Sequence, residues 1–195
     1  KKENSPHVIQ LTTHANNRIQ FIVQTILNYP SKHKTFAISY WIRAMEECEK
    51  QRNFQLLFLI DGALSHPGIQ NLAKGWKKID KALLRKFEEM REITDPTRKS
   101  TQKYRLEILK NPRNSLPFIG PFLTEMVTID EGNKTFIQKD NNEQWINIFK
   151  QRAYFAEIEM IFKEWGGELG CDIDPYLLQL LAEIDAGLFV VPKSR

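Results

Sequence analysis

The sequence predicts an all-α protein, a compact helical bundle from which an antiparallel helical hairpin projects. Three observations carry that expectation. Apolar residues recur three and four apart along nearly the whole chain, alternating apolar and polar runs bounded by paired turn signals are scarce, and helix start and stop signals punctuate the periodic stretches. At 195 residues, the chain is long enough for one well-buried core, and a single domain over 1–195 is expected.

Ser5-Pro6 is a cap and first-turn pair, opening a helix through Val8, Ile9, Leu11, Ile19, Phe21, Ile22 and Ile26 to about Asn28, where Tyr29-Pro30 disfavours continuation. Ser31 is expected to cap a second helix with Phe36, Ile38, Trp41, Ile42 and Met45 on one stripe. A third helix starts after Asn53 and is apolar on nearly every side, FQLLFLIDGAL, which places it at the bundle centre. Ser65-His66-Pro67-Gly68 breaks it, and a shorter helix with Leu72, Trp76 and Ile79 follows. The charged rod DKALLRKFEEMREIT carries Leu83, Leu84, Phe87 and Met90 as its apolar stripe and reads as a surface helix. After the Asp95–Arg98 turn the helical period resumes from Ser100 to Asn111 with Tyr104, Leu106, Ile108 and Leu109.

The hairpin is expected over about 117–165. Pro117 opens its first arm, PFIGPFLTEMVTIDEGN, and Gly132 with Asn133 supplies a left-handed close. A polar loop, about Lys134 to Gln144, leads to the second arm, INIFKQRAYFAEIEMIFKEW, and two helices so joined pack antiparallel. Phe118, Phe122 and Phe149 are assigned to the core. A last helix, Pro175 to Asp185, is closed by Gly187, and the apolar tail FVVP is expected to dock on the body.

With 42% hydrophobic and 27% charged residues, the chain has the balance of a folded, water-soluble domain. No apolar run reaches the 18 or so residues of a membrane helix, and the polar start KKENSP is not a signal peptide. Cys48 and Cys171 stand apart without metal-ligand company, so a reducing compartment is expected. The four histidines, His7, His14, His33 and His66, lack zinc-helix spacing, and neither a phosphate-cradling glycine loop nor a nucleophile elbow is present. Neighbouring acids such as Glu88-Glu89 and Asp130-Glu131 point away from one another on a helix, so paired-carboxylate catalysis is not expected. Neither a metal nor a cofactor is expected. Residues 67 to 113 hold 13 Lys or Arg against 6 Asp or Glu, and residues 151 to 187 hold 2 against 8, an asymmetry that can steer a charged partner or serve as solvated helix faces.

The order of motifs resembles the catalytic core of Ras-family guanine-nucleotide exchange factors, the Cdc25-homology (RasGEF) domain. SPHVIQLTTHANNRIQFIV is similar to its opening helix, NFQLLFLIDGALSHPGIQNLAKGWKKI to its buried helix and following turn, and FEEMREITDPTRKSTQKYR to the next segment. LPFIGPFLTEMVTIDEGN resembles the family's proline-phenylalanine, leucine-threonine and glutamate-glycine-asparagine signature, and WIN with RAYFAEI resembles the second arm. Three departures concern single positions: Leu64 stands where asparagine is common, Val127 where leucine is frequent, and the second arm holds one additional residue near Ile148. The resemblance also implies a domain lacking its N-terminal helices, roughly 50 residues by domain size.

That resemblance implies a partner, a small GTPase of the Ras superfamily, whose nucleotide is released when the hairpin enters beside the pocket. Thr124, Val127 and Glu131 would form the wedge, Val127 presenting an apolar group to the magnesium site and Glu131 occupying space near the phosphates. Asn133 would cap the hairpin, and Ala15, Asn16, Leu64, Ser65, His66, Arg91 and Thr94 would make a platform for the GTPase. It implies no direct nucleotide binding, no covalent chemistry, a cytoplasmic setting, and membrane recruitment only through other domains. A scaffold that keeps the fold without exchange is the alternative. A helical nucleic-acid binder using the basic 67 to 113 stretch lacks a recognition helix and is not expected.

Overall fold

The computed structural model describes residues 5–95, 98–139, 143–162 and 175–188. Its elements follow the expected helical order. Helix α1 spans Pro6–Asn28, α2 Lys34–Lys50, α3 Phe54–Leu64, and the short α4 and α5 Pro67–Gln70 and Ala73–Trp76. Then come α6 (Lys81–Thr94), α7 (Arg98–Lys110), α8 (Gly120–Gly132), strands β1 (Phe136–Gln138) and β2 (Gln144–Ile146), α9 (Ile148–Phe162) and α10 (Pro175–Asp185).

Helix α3 sits at the centre, against α1, α2, α4 and α6, because its apolar residues encircle it. Leu57, Ile60, Ala63 and Leu64 are fully buried there, joined by Ile26, Ile38, Ile42, Met45 and Met90 from the surrounding helices. Asn53 caps α3 by accepting from the Leu56 N–H at 3.0 Å, and Asp80 caps α6 through the Ala82 and Leu83 amides. Ser5 makes no side-chain cap bond, so Pro6 alone marks the start of α1. Gly187 closes α10 at φ +71, a conformation that glycine adopts without a Cβ penalty.

Five expectations need correction. Ser31 begins a 3₁₀ turn rather than capping α2, and Phe36 is 59% exposed, stacked on Tyr29 instead of joining the core stripe. The helical repeat explains this: Phe36 lies roughly 200° round the helix from Ile38, so burying Ile38, Ile42 and Met45 turns it outward.

Pro117 does not open the first arm, which starts at Gly120. Leu116 instead pairs with the main chain at the start of α3, its N–H donating to the Arg52 carbonyl at 3.0 Å while its own carbonyl accepts from Gln55. These bonds hold the chain out of helical geometry. Arg52 itself has φ 56, and its guanidinium binds Ser115 Oγ and the Glu107 carbonyl, securing a backbone conformation that non-glycine residues seldom adopt.

The expected polar loop contains a two-stranded antiparallel ribbon with Phe136 opposite Ile146 and Ile137 opposite Trp145. Its β-branched and aromatic residues outweigh the polar residues around them. Asn133 is extended at φ −133, not left-handed, and closes α8 through its side chain instead, Nδ2 donating to the Ile129 carbonyl at 3.0 Å. The expected FVVP docking and the end of the second arm beyond 162 lie outside the described residues.

Candidate functional site

Helices α8 and α9 pack chiefly on one another and form the projecting hairpin. Asp130 near the end of α8 meets Lys150 near the start of α9, so the arms run antiparallel. Beyond Phe122, only Ile129 is buried among the α8 side chains. Thr124, Val127 and Glu131 are exposed along one side of that arm, with Val127 54% open.

The hairpin is anchored at its base by Tyr104 of α7. Its hydroxyl donates to the Phe118 carbonyl at 2.8 Å and accepts from the Phe118 N–H at 2.6 Å, in a ring cluster with the buried Phe54 and Phe122 and the partly buried Phe58. Burial pushes the phenol well above its ordinary range, against the Phe118 hydrogen bond that favours the ionised form. Gly120 permits the close turn beside it, since a Cβ there would meet the Phe118 ring at 2.5 Å. Arg105, also on α7, ties α9 to the same base through Glu157 at 2.5 Å and lies over the Phe122 ring.

Between this base and α6 opens a groove of about 400 Å³, lined in part by Phe58, Phe118, Thr94, Thr124 and Glu125. Aromatic walls with a few polar groups at the rim suit capture of an apolar side chain. Motif reading did not find the groove, because its walls come from α3, α6, α7 and α8, which approach only on folding.

Of the platform residues, the structure brings Arg91 and Thr94 to one side of the bundle with Asp61. Arg91 is half-buried over the Phe87 ring, its Nε 3.4 Å from Asp61 Oδ1 but not aligned for a hydrogen bond. Burial pushes the Asp61 carboxyl above the usual range, and the Thr94 hydroxyl and Arg91 guanidinium oppose that shift. Ser65 is exposed, and His66 is half-buried with Nδ1 accepting from the Gly68 N–H at 3.1 Å. Ala15 and Asn16 lie on α1 next to Asn17 and Arg18, both of which bind Asp185 of α10.

Leu64 and Thr94 correct the expected platform, because Leu64 is 0% and Thr94 3% exposed. Leu64 faces inward with Ile60 one turn before it, so its side chain packs in the core and is not open to a partner. Phe149, assigned to the core, is 80% exposed. The phase of α9 is set by Lys150, Tyr154 and Glu157, which turn inward to polar partners, and Phe149 is carried about 100° away to the outside.

A polar neck closes the hairpin and was also missed. Asn147 caps α9, its Oδ1 accepting from the Lys150 N–H at 3.2 Å and its Nδ2 donating to the Lys134 carbonyl at 3.0 Å. An asparagine directly before the periodic IFKQRAYF run was the available signal. The Lys150 ammonium holds the Asp130 carboxyl below its usual range, with the Tyr154 hydroxyl as a second donor. Partial burial and the Asp130 charge push the Tyr154 phenol up.

Among the described residues no group of three His, Cys, Asp or Glu side chains is placed to hold a metal ion, and no helix is long and apolar enough to cross a membrane. A family model for the RasGEF domain matches residues 1–152. The chain is 26% identical over 163 residues to Ras guanine nucleotide exchange factor P of Dictyostelium discoideum, covering 83% of this chain and 10% of that protein. It is 24% identical over 185 residues to Ras-specific guanine nucleotide-releasing factor 2 of Mus musculus, covering 94% of this chain and 15% of that protein. Against Rap guanine nucleotide exchange factor 1 of Caenorhabditis elegans, identity is 28% over 160 residues, 82% of this chain and 15% of the relative.

Proposed function

The chain belongs to the RasGEF domain family, and from that premise we propose that it binds a Ras-family small GTPase and speeds GDP release by inserting the α8–α9 hairpin beside the nucleotide pocket. The observation that carries this reading is the open line of Thr124, Val127 and Glu131 on an arm fixed at both ends by buried polar anchors. A wedge needs that combination of a bare face and a stiff mount.

Exchange by this route needs no covalent step. The hairpin has to bind the emptied GTPase more tightly than the loaded one, since only differential affinity shifts the equilibrium. A thousandfold acceleration corresponds to about 4 kcal/mol of differential stabilisation of the release transition state. Val127, about half exposed in the free domain, contributes on the order of 1 kcal/mol when fully covered, so several contacts must act together. Glu131 supplies a negative charge that competes with phosphate for the donors of the nucleotide pocket. The groove at the hairpin base, with Arg91 nearby and Ser65 at the end of α3, forms the surface against which the GTPase is held.

Release of a fluorescent guanine nucleotide from a panel of Ras-family GTPases tests the reading. Concentration-dependent acceleration for at least one member is the expected result. Binding to the emptied GTPase without acceleration supports the scaffold alternative, and no binding to any member overturns both.

A further inference from the structure

We propose that Lys150 is a positioning residue for exchange, locking the last turn of α8 to the first turn of α9 and so aiming Val127 and Glu131; this rests on the hairpin reading above. Lys150 is 4% exposed, on a hairpin whose other side chains are mostly open. An ammonium has three N–H donors, and here three oxygens accept them: Asp130 Oδ1 at 2.6 Å, the Asp130 carbonyl at 3.3 Å and Thr135 Oγ1 at 3.1 Å. Two of these acceptors belong to the final turn of α8 and the third to the segment leaving it.

Stability alone does not account for this arrangement. The Asp130 side chain is 63% exposed, and an ion pair with one partner in water adds little. An apolar side chain of the same length would fill the space with less dehydration cost. What the ammonium adds is direction, because three bonds from one atom fix the rotation of the α8 end relative to α9. Asn147 reinforces the same point, its N–H donating to the Thr135 carbonyl at 2.9 Å. Glu131 directly follows Asp130 and Val127 lies one turn before it, so a small rotation of this turn displaces both wedge side chains.

The test measures steady-state exchange on the GTPase that responds best to the wild-type domain, for Lys150→Met, Asp130→Asn, their double variant and Lys150→Arg. Lys150→Met is expected to lower kcat about tenfold to a hundredfold with KM for the GTPase changed less than about threefold, while Tm falls by no more than about 4 °C. The double variant is expected to be no worse than Lys150→Met, because the bond that Asp130→Asn weakens is one Lys150→Met has already removed. Lys150→Arg, which keeps the charge and reaches Asp130, is expected to recover most of kcat. Spin labels at positions 128 and 152, with Cys48 and Cys171 replaced, are expected to give a broader inter-arm distance distribution in Lys150→Met. Wild-type kcat in Lys150→Met, a loss that tracks Tm, or an unchanged distance distribution overturns the proposal. If the wild-type domain accelerates no GTPase, the exchange reading fails and the role in exchange with it, and the spin-label arm still decides whether Lys150 sets the hairpin.

Discussion

Replacing Tyr104 with phenylalanine removes one oxygen and leaves the ring cluster intact, which makes it the cleanest probe of the hairpin base. The hydroxyl serves two main-chain groups of Phe118, accepting from its N–H and donating to its carbonyl. An unsatisfied buried polar group costs about 1–3 kcal/mol, and water entering from the neighbouring groove relieves part of it, so a net loss of about 2–3 kcal/mol is expected. For a domain of this size that corresponds to a Tm lowered by roughly 5–10 °C. Urea unfolding followed by tryptophan fluorescence measures the loss as a lower midpoint at unchanged m. The pH dependence supplies a second reading. Because burial raises the folded-state pKa of Tyr104 above its unfolded value, its contribution to stability is complete below about pH 10 and declines as pH rises beyond it. The variant lacks that decline. A midpoint within about 0.5 kcal/mol of wild type, or an identical alkaline slope, refutes the assignment of Tyr104 as the base anchor.

Three further outcomes are expected. Val127→Asp and Glu131→Ala alter exposed positions, so each is expected to change stability by less than about 0.5 kcal/mol while slowing nucleotide release at least about tenfold; melting temperatures that collapse with activity contradict the wedge assignment. Burial holds the Asp61 carboxyl above the usual range, so the native state keeps its proton to higher pH than the unfolded chain, and the stability this provides is lost as pH rises through the folded-state value. Asp61→Asn removes that loss and is expected to gain stability relative to wild type between pH 4.5 and 7 in urea unfolding; an equal difference at both pH values contradicts it. Burial, reinforced by the Glu47 charge, pushes the Cys48 thiol up to about 11, so in a Cys171→Ser background Cys48 is expected to resist disulfide reagents at pH 8 until the protein unfolds; reaction at the rate of a free thiol contradicts its burial.

The body of the bundle was legible in the sequence because burial there follows one rule. Where a helix needs only to cover apolar surface, as in FQLLFLIDGAL or the stripe of Leu83, Phe87 and Met90, periodicity reports the answer directly. The reading failed where polar bonds set the geometry. Phe149 looked like core by its type, yet α9 is rotated by the bonds of Lys150, Tyr154 and Glu157, and no hydrophobic count weighs an ammonium with three acceptors. Pro117 looked like a helix start, yet main-chain pairing of Leu116 with the α3 entrance holds it extended. Leu64 was placed at the partner surface by its position in a motif, and its apolar neighbours draw it inside. The exposure of Thr124, Val127 and Glu131, the proposed wedge, follows from the simple fact that α8 has one packed side.

Base and neck divide the work of the hairpin, and that division says which perturbations affect which property. At the base, Tyr104 and Phe118 belong to the core cluster, so damage there is expected to lower stability and, on the proposed mechanism, exchange with it. At the neck, Lys150 is buried by local contacts on an element that adds little to the core, so damage there is expected to spare stability and reduce exchange. Between them, Val127 and Glu131 face water and carry almost no folding energy. On the proposed mechanism, a domain built this way tunes its output at the neck without endangering its fold, because the neck would set where the proposed wedge points while the core sets whether the domain folds.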